Sequence, residues 1–178
     1  MDRHLEAQSA ADLILEGLKE AKVEIVACLP ESLLKSTYRR ISEDRGIHYI
    51  TVSNEADMPG ILVGAYLGGK RAIMMMENSG LRQACEPIAR FAFTHHIPLV
   101  MMMAFRGGFP ERMWWGHSHA QTMVPILDAL RIPYWFVRRR VDIKNLISGA
   151  YVHADSSQWP VALVFTKECV EVPSYAED

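Results

Sequence analysis

Six short apolar runs, separated by stretches of helical periodicity, constrain this chain more than any other feature. They cover residues 23–29, 47–52, 72–76, 99–104, 134–137 and 161–165 and are rich in β-branched residues and methionine. They read as near-continuous hydrophobic segments rather than alternating ones, as strands covered on both faces do. Between them, apolar residues at helical spacing predict a first helix that includes Leu5, Leu15 and Leu18 and ends near Glu20. Further helices are expected over 33–41, 58–67, 81–94 and 121–130. Pro59 is tolerated in a first turn, and Gly68-Gly69 mark a helix end. Asp142 is expected to cap a last helix whose Ile143, Leu146, Ile147, Ala150 and Tyr151 share one face. Strands alternating with helices predict an α/β fold. The expectation is a single three-layer α/β/α domain with a six-stranded, mainly parallel sheet.

Length agrees with one domain over residues 1–178, with a core over about 5–170, since domains run to roughly 100–200 residues. The formal net charge of −2 argues against a nucleic-acid protein, which would carry a concentrated basic face. Arg138-Arg139-Arg140 is the one dense basic run and reads as a solvated loop after a strand. Cys28, Cys85 and Cys169 are odd in number and widely spaced, which fits free thiols better than disulfides or a zinc site. The start Met-Asp-Arg-His-Leu-Glu has no apolar signal segment, and no apolar stretch reaches the roughly 20 residues of a membrane span. A cytoplasmic protein, with no membrane and no nucleic-acid partner, is the expectation.

The triplets Met74-Met75-Met76 and Met101-Met102-Met103 could suggest a soft-metal site. Consecutive strand residues point to opposite faces, so core packing is the better reading.

In open parallel sheets, ligands bind beyond the carboxyl ends of the strands. The segments there are Leu29-Pro30-Glu31-Ser32, Ser53-Asn54-Glu55, Glu77-Asn78-Ser79-Gly80, Phe105-Arg106-Gly107-Gly108 and the stretch up to His119. Glu55 stands out. A carboxylate where a buried strand ends costs several kcal/mol unless paired, so it is expected to share a proton with whatever docks there.

No G-x-G-x-x-G follows the first strand, and no P-loop or G-x-S-x-G elbow occurs. Asn78-Ser79-Gly80 reads either as a helix cap with a turn glycine or as backbone N–H groups and an amide facing a ligand. His117 and His119 end a loop of roughly a dozen residues, long for a compact domain, and are candidates for a substrate or acid–base role. They lack a third ligand at supporting distance, so no metal site is assigned to this chain. His95-His96 suits a helix end. Trp114-Trp115 in the same long loop suggests a partner surface or a substrate lid. Gly60, Gly64 and Gly68 recur along one helix face, where either the sheet or a second subunit could approach closely.

Several segments occurring in order carry a resemblance. They are Leu29-Pro30-Glu31-Ser32-Leu33-Leu34-Lys35, Asn54-Glu55, Ala65-Tyr66-Leu67-Gly68-Gly69-Lys70, Asn78-Ser79-Gly80-Leu81, Ile97-Pro98-Leu99, Phe105-Arg106-Gly107 and residues 127–134. Over roughly residues 5–170 the chain resembles the pyrimidine-binding domain of thiamine-diphosphate enzymes. Within that group it is most similar to the sulfopyruvate decarboxylase α subunit and the N-terminal half of phosphonopyruvate decarboxylase.

The resemblance implies that Glu55 hydrogen-bonds the cofactor's aminopyrimidine ring and promotes the imino tautomer that generates the ylide attacking a 2-oxo acid. Pro30, Glu31, Asn78, Ser79, Gly80 and Leu81 would line the thiamine diphosphate pocket. His117 and His119 would handle protons, and Arg106, Arg112 and Gln121 would meet the substrate. The family's magnesium–diphosphate motif, Gly-Asp-Gly followed by an asparagine, does not occur in this sequence. The resemblance therefore implies a partner β subunit holding Mg2+ and the diphosphate, in an α2β2 or higher complex.

The sequence departs from the phosphonopyruvate branch at Glu31, where aspartate is usual, and across residues 110–118. That leaves the substrate's distal group open. Arg106 and Arg112 suit a sulfonate, phosphonate or carboxylate, and the tryptophans an apolar group. Alternatives are a carboligase or a 2-oxo acid oxidoreductase subunit on the same cofactor, or a non-catalytic α/β binding module.

Overall fold

All six expected strands form, and every pairing is parallel. The computed structural model describes residues 8–170, so Leu5 of the first helix and the extreme N-terminus lie outside the described residues. The strands are β1 (Ile25–Cys28), β2 (His48–Thr51), β3 (Ala72–Glu77), β4 (Val100–Ala104), β5 (Tyr134–Val137) and β6 (Val161–Phe165). Their order is β2-β1-β3-β4-β6-β5, with β2 and β5 at the edges. The helices are α1 (Ala10–Glu20), α2 (Lys35–Ser42), α3 (Met58–Leu67), α4 (Leu81–Pro87), α5 (His117–Ala129), α6 (Ile143–Ser157) and the short α7 (Lys167–Val170).

Two cores cover the sheet. On one face Leu13, Ile14 and Leu18 of α1, Tyr38 and Ile41 of α2, and Ile143, Ile147 and Tyr151 of α6 pack together. On the other lie Met58 and Leu62 of α3, Leu81 and Ala84 of α4, and Met123 and Leu127 of α5. The methionine triplets divide between them: Met75 and Met102 face the first core, and Met74, Met76, Met101 and Met103 the second. All six are fully buried, and each such side chain contributes about 1.5–3 kcal/mol by leaving water. Packing accounts for them.

Two helices differ from expectation for identifiable reasons. The stretch expected as one helix over 81–94 is α-helical to Pro87 and continues as a π-helix over Ile88–Phe93. Proline has no N–H to close the preceding turn, and the ladder shifts its spacing there. Asp142 does sit at the N-cap of α6 but makes no capping bond. Its two oxygens instead accept from Arg139 Nε and a terminal nitrogen, each at 2.8 Å. A bidentate, charge-assisted pair outcompetes a single backbone N–H.

The α3 glycines have no role against the sheet. A Cβ at Gly64 would meet nothing within 4 Å, and at Gly60 the nearest atom is Phe91 Cε2 at 3.8 Å. Gly64→Ala is therefore expected to stabilise the chain by about 1 kcal/mol, the helix-propensity difference. Thermal unfolding should show a rise of about 2–4 °C for a domain of this size. A lowered midpoint would mean that something fills that space.

Candidate active site

The parallel sheet sends every strand's carboxyl end to the same rim, and the polar segments singled out above gather there. Glu55 opens a single 3₁₀ turn, Glu55–Asp57, after β2. Asn54 starts that turn, its side chain accepting from Ala56 N at 2.8 Å. Glu55 was expected at the end of a buried strand. It is half-buried instead, because β2 is an edge strand and its end keeps contact with solvent. Among the described residues no ion pair or hydrogen bond holds its carboxylate.

The turn after β3 lies directly against Glu55. A Cβ built on Gly80 would come within 2.7 Å of Glu55 Oε1 and 2.8 Å of Cδ. The absence of a side chain at Gly80 is what lets the carboxylate lie there. Asn78, 1% exposed, is engaged internally. Its Nδ2 donates to Arg106 O at 3.0 Å and its Oδ1 accepts from Arg106 N at 3.1 Å, tying the β3 turn to the β4 loop. The amide caps no helix; it joins two loops. Leu81 is fully buried at the start of α4.

Glu31 is likewise engaged with the backbone. Its oxygens accept from Leu33 N and Leu34 N, both at 2.6 Å, just before α2. Burial pushes its carboxyl pKa up, the two N–H donors pull it back, and the nearby charges of Glu77 and Arg106 act in opposite directions. Pro30 beside it is exposed.

On the far side of the turn a second cluster forms around Glu77, the last residue of β3. Ser79 Oγ donates to Glu77 Oε1 at 2.9 Å, and His119 Nδ1 stands 3.0 Å from the same oxygen. Arg106 Nε is 3.8 Å from Oε2, while a terminal nitrogen of Arg106 donates to Ser32 Oγ at 2.6 Å. The Nδ1 of His119 and the Nε of Arg106 are buried, and neither makes an aligned hydrogen bond. Both therefore sit within reach of one carboxylate without being in line with it. The Trp115 ring closes the cluster, 5.5 Å from the His119 ring and 5.7 Å from the Arg106 guanidinium carbon.

The two histidines were expected at the end of a loop. Instead α5 begins at His117, four residues before the anticipated start, and both ride its first turn. Gly116 at its N-cap offers no side-chain bond, so the usual start signal is missing. Facing differs as well: His119 points into the cluster, whereas His117 is exposed, as are Arg112 and Gln121. The tryptophan pair splits, with Trp114 85% exposed and Trp115 36%. Glu111 braces the loop by accepting from Gly107 N at 3.1 Å and Met113 N at 2.9 Å, and these donors lower its pKa. Gly107 adopts φ +88°, and a Cβ there would lie 2.9 Å from Ala120 Cβ, so the loop folds tightly onto α5.

Glu77 is the residue that the sequence reading passed over. A carboxylate closing a strand whose four preceding residues are all buried was its signal. Among the described residues no group of three or more His, Cys, Asp or Glu could hold a metal ion, and no helix is long and apolar enough to cross a membrane.

Fold and rim together define an α/β domain whose parallel sheet gathers, at the carboxyl ends of its strands, a carboxylate without a partner among the described residues on one side and a carboxylate–imidazole–guanidinium cluster on the other. The chain is related along most of its length to proteins named sulfopyruvate decarboxylase subunit alpha. It is 26% identical to that of Methanococcus maripaludis over 156 residues, 88% of this chain and 93% of the relative. With that of Methanocaldococcus jannaschii it shares 29% identity over 152 residues, 85% of this chain and 90% of the relative. The phosphonopyruvate decarboxylase of Streptomyces hygroscopicus is 33% identical over 99 residues, 56% of this chain but 24% of that longer protein. The resemblance read from the motifs stands. No protein-family model matches the chain.

Proposed function

We propose that this chain is the α subunit of a two-chain, thiamine-diphosphate-dependent 2-oxo acid decarboxylase acting on a 3-substituted pyruvate such as sulfopyruvate or phosphonopyruvate. The observation that carries this reading is the Glu55 carboxylate, unpaired and lying where a Gly80 side chain would be. The residues suit the cofactor's pyrimidine: a carboxylate available to a ring nitrogen, with the missing Cβ at Gly80 leaving it room. When bound, thiamine diphosphate supplies a nucleophilic carbon and an electron sink for loss of CO2.

The rest falls to this chain's own groups. Glu55 holds the proton exchanged with the pyrimidine at a carboxylate oxygen, and the half-buried rim favours that sharing once a partner covers it. Pro30, Glu31 and the 78–80 turn shape the pocket, Asn78 by clamping its two walls together. Arg106, its Nε buried without an aligned bond, orients the anionic substrate. His119 handles a proton beside it, and Trp115 excludes water. Arg112, His117 and Gln121, exposed here, meet substrate only if the partner brings it to them.

The relatives' name, subunit alpha, supports a second chain, and a β subunit would hold Mg2+ and the diphosphate. A cytoplasmic α2β2 or larger complex goes with this reading. The test is to co-purify the chain with its partner and follow CO2 release from sulfopyruvate and phosphonopyruvate. Activity is expected from the complex with thiamine diphosphate and Mg2+, and none from either chain alone. A complex that neither binds the cofactor in calorimetry nor releases CO2 overturns the assignment.

A further inference from the structure

Glu77 has no part in the reading above, yet Ser79 of its own turn and side chains from two other segments converge on it. Ser79 donates to its Oε1, His119 Nδ1 lies 3.0 Å from the same oxygen, and Arg106 Nε faces Oε2 at 3.8 Å. We propose that Glu77 is the positioning residue of His119: its carboxylate accepts a hydrogen bond from Nδ1–H, which keeps the proton on Nδ1 and leaves Nε2 as the nitrogen that works in the site. What Nε2 does there rests on the decarboxylase reading, while the pairing itself does not.

Three observations carry the proposal. His119 is enclosed, with 12% of its side chain exposed, and its Nδ1 is buried without an aligned hydrogen bond. A buried donor left unpaired costs about 1–3 kcal/mol, and the Glu77 oxygen is the acceptor in reach. Next, a neutral imidazole carries one donor and one acceptor nitrogen, and the partner of one nitrogen decides which is protonated. A carboxylate at 3.0 Å repels a lone pair on Nδ1, which selects the Nδ1–H tautomer. Last, Glu77 is on the rigid side of the contact. It belongs to β3 at the centre of the sheet, in register with Ala104 of β4, whereas His119 rides the first turn of a helix that follows a long loop. Sites anchored on strands hold their geometry better than sites on loops.

The charged groups around this pair come from several elements. Arg106 follows β4, and Arg82 of α4 reaches Ser118 O at 3.4 Å and Thr122 Oγ1 at 3.1 Å on the same helix as His119. Glu31, after β1, feels both Glu77 and Arg106. The Glu77 oxygen is the carboxylate paired with His119 Nδ1, at 3.0 Å.

The test reads the tautomer directly. The full chain is prepared with 15N-labelled imidazoles, and the His119 signal is identified by its loss in His119→Asn. At a pH where the ring is neutral, wild type is expected to show Nδ1–H. Glu77→Ala should switch it to Nε2–H, the form favoured by a free imidazole. Glu77→Gln, whose amide NH2 can donate to Nδ1 where the carboxylate could only accept, should switch it likewise. Wild type showing Nε2–H overturns the proposal without any variant, and so does an unchanged tautomer in folded Glu77→Ala. In the assembled enzyme Glu77→Ala should lower kcat by roughly 10²–10⁴-fold with little change in KM, and the isosteric Glu77→Gln should lose about as much, which a merely structural role would not predict. If the complex lacks decarboxylase activity altogether, the functional reading fails and the tautomer result alone decides the role of Glu77.

Discussion

Glu55→Gln lowers the decarboxylation rate of the assembled enzyme on the order of 10²–10⁴-fold, the usual range for one positioned acid–base group. The expectation follows from where the carboxylate stands. It has no partner among the described residues, so it contributes no internal bond whose loss would loosen the fold. Glutamine keeps the shape against Gly80 but cannot exchange a proton. The melting temperature should therefore stay within about 1 °C of wild type, as surface substitutions that break no contact do. Calorimetry on the complex separates binding from chemistry, since the amide can still hydrogen-bond a ring nitrogen. Affinity should fall far less than rate. Near-full activity in Glu55→Gln would remove Glu55 from the mechanism and with it the main support for the cofactor assignment.

Gly80→Ala is expected to disable the enzyme nearly as well, without touching any ionisable group. The added methyl would sit 2.7 Å from Glu55 Oε1 and 2.8 Å from Cδ, well inside van der Waals contact. The obstructing atoms belong to a side chain free to swing toward solvent, so the strain is relieved by moving the carboxylate rather than the backbone. Gly80 has φ −68°, which alanine adopts without cost. Stability should change by less than about 1 kcal/mol, while a 1 Å misplacement of a catalytic group costs about 10²-fold in rate. Chemical denaturation beside steady-state kinetics checks both halves. Unchanged kinetics would show that the contact between residues 55 and 80 does not set the active geometry.

Much of this was legible in the chain because it depends on local rules. The six strands and their parallel pairing followed from apolar runs too continuous for half-exposed strands. The methionine triplets followed from the alternation of side chains along a strand. Helix α3 was expected over 58–67 and occupies those residues. What escaped depends on which residues meet across the sheet. Glu77 looked like the end of a strand, and nothing local tells that His119, Arg106 and Ser79 all reach it. The start of α5 was misplaced because Gly116 carries no capping side chain. Asp142 was read as a cap because its competitor Arg139, three residues back, offers two donors where the helix offers one. The burial of Glu55 was overestimated because a strand's place in the sheet, edge or centre, is a property of topology. β2 turned out to be an edge.

The three residues after β3 each grip a different part of the rim. Asn78 holds the β4 loop through both ends of its amide, Ser79 braces Glu77, and Gly80 makes room for Glu55. Surface connections between strands and helices ordinarily absorb insertions and deletions with little harm. This one has no slack of that kind. Adding or removing one residue would move Asn78 and Ser79 off their partners and take away the space Gly80 leaves for Glu55, so the length of this connection is under as much constraint as its composition. Changes of length are better tolerated at the exposed residues 112–114 than between residues 77 and 81.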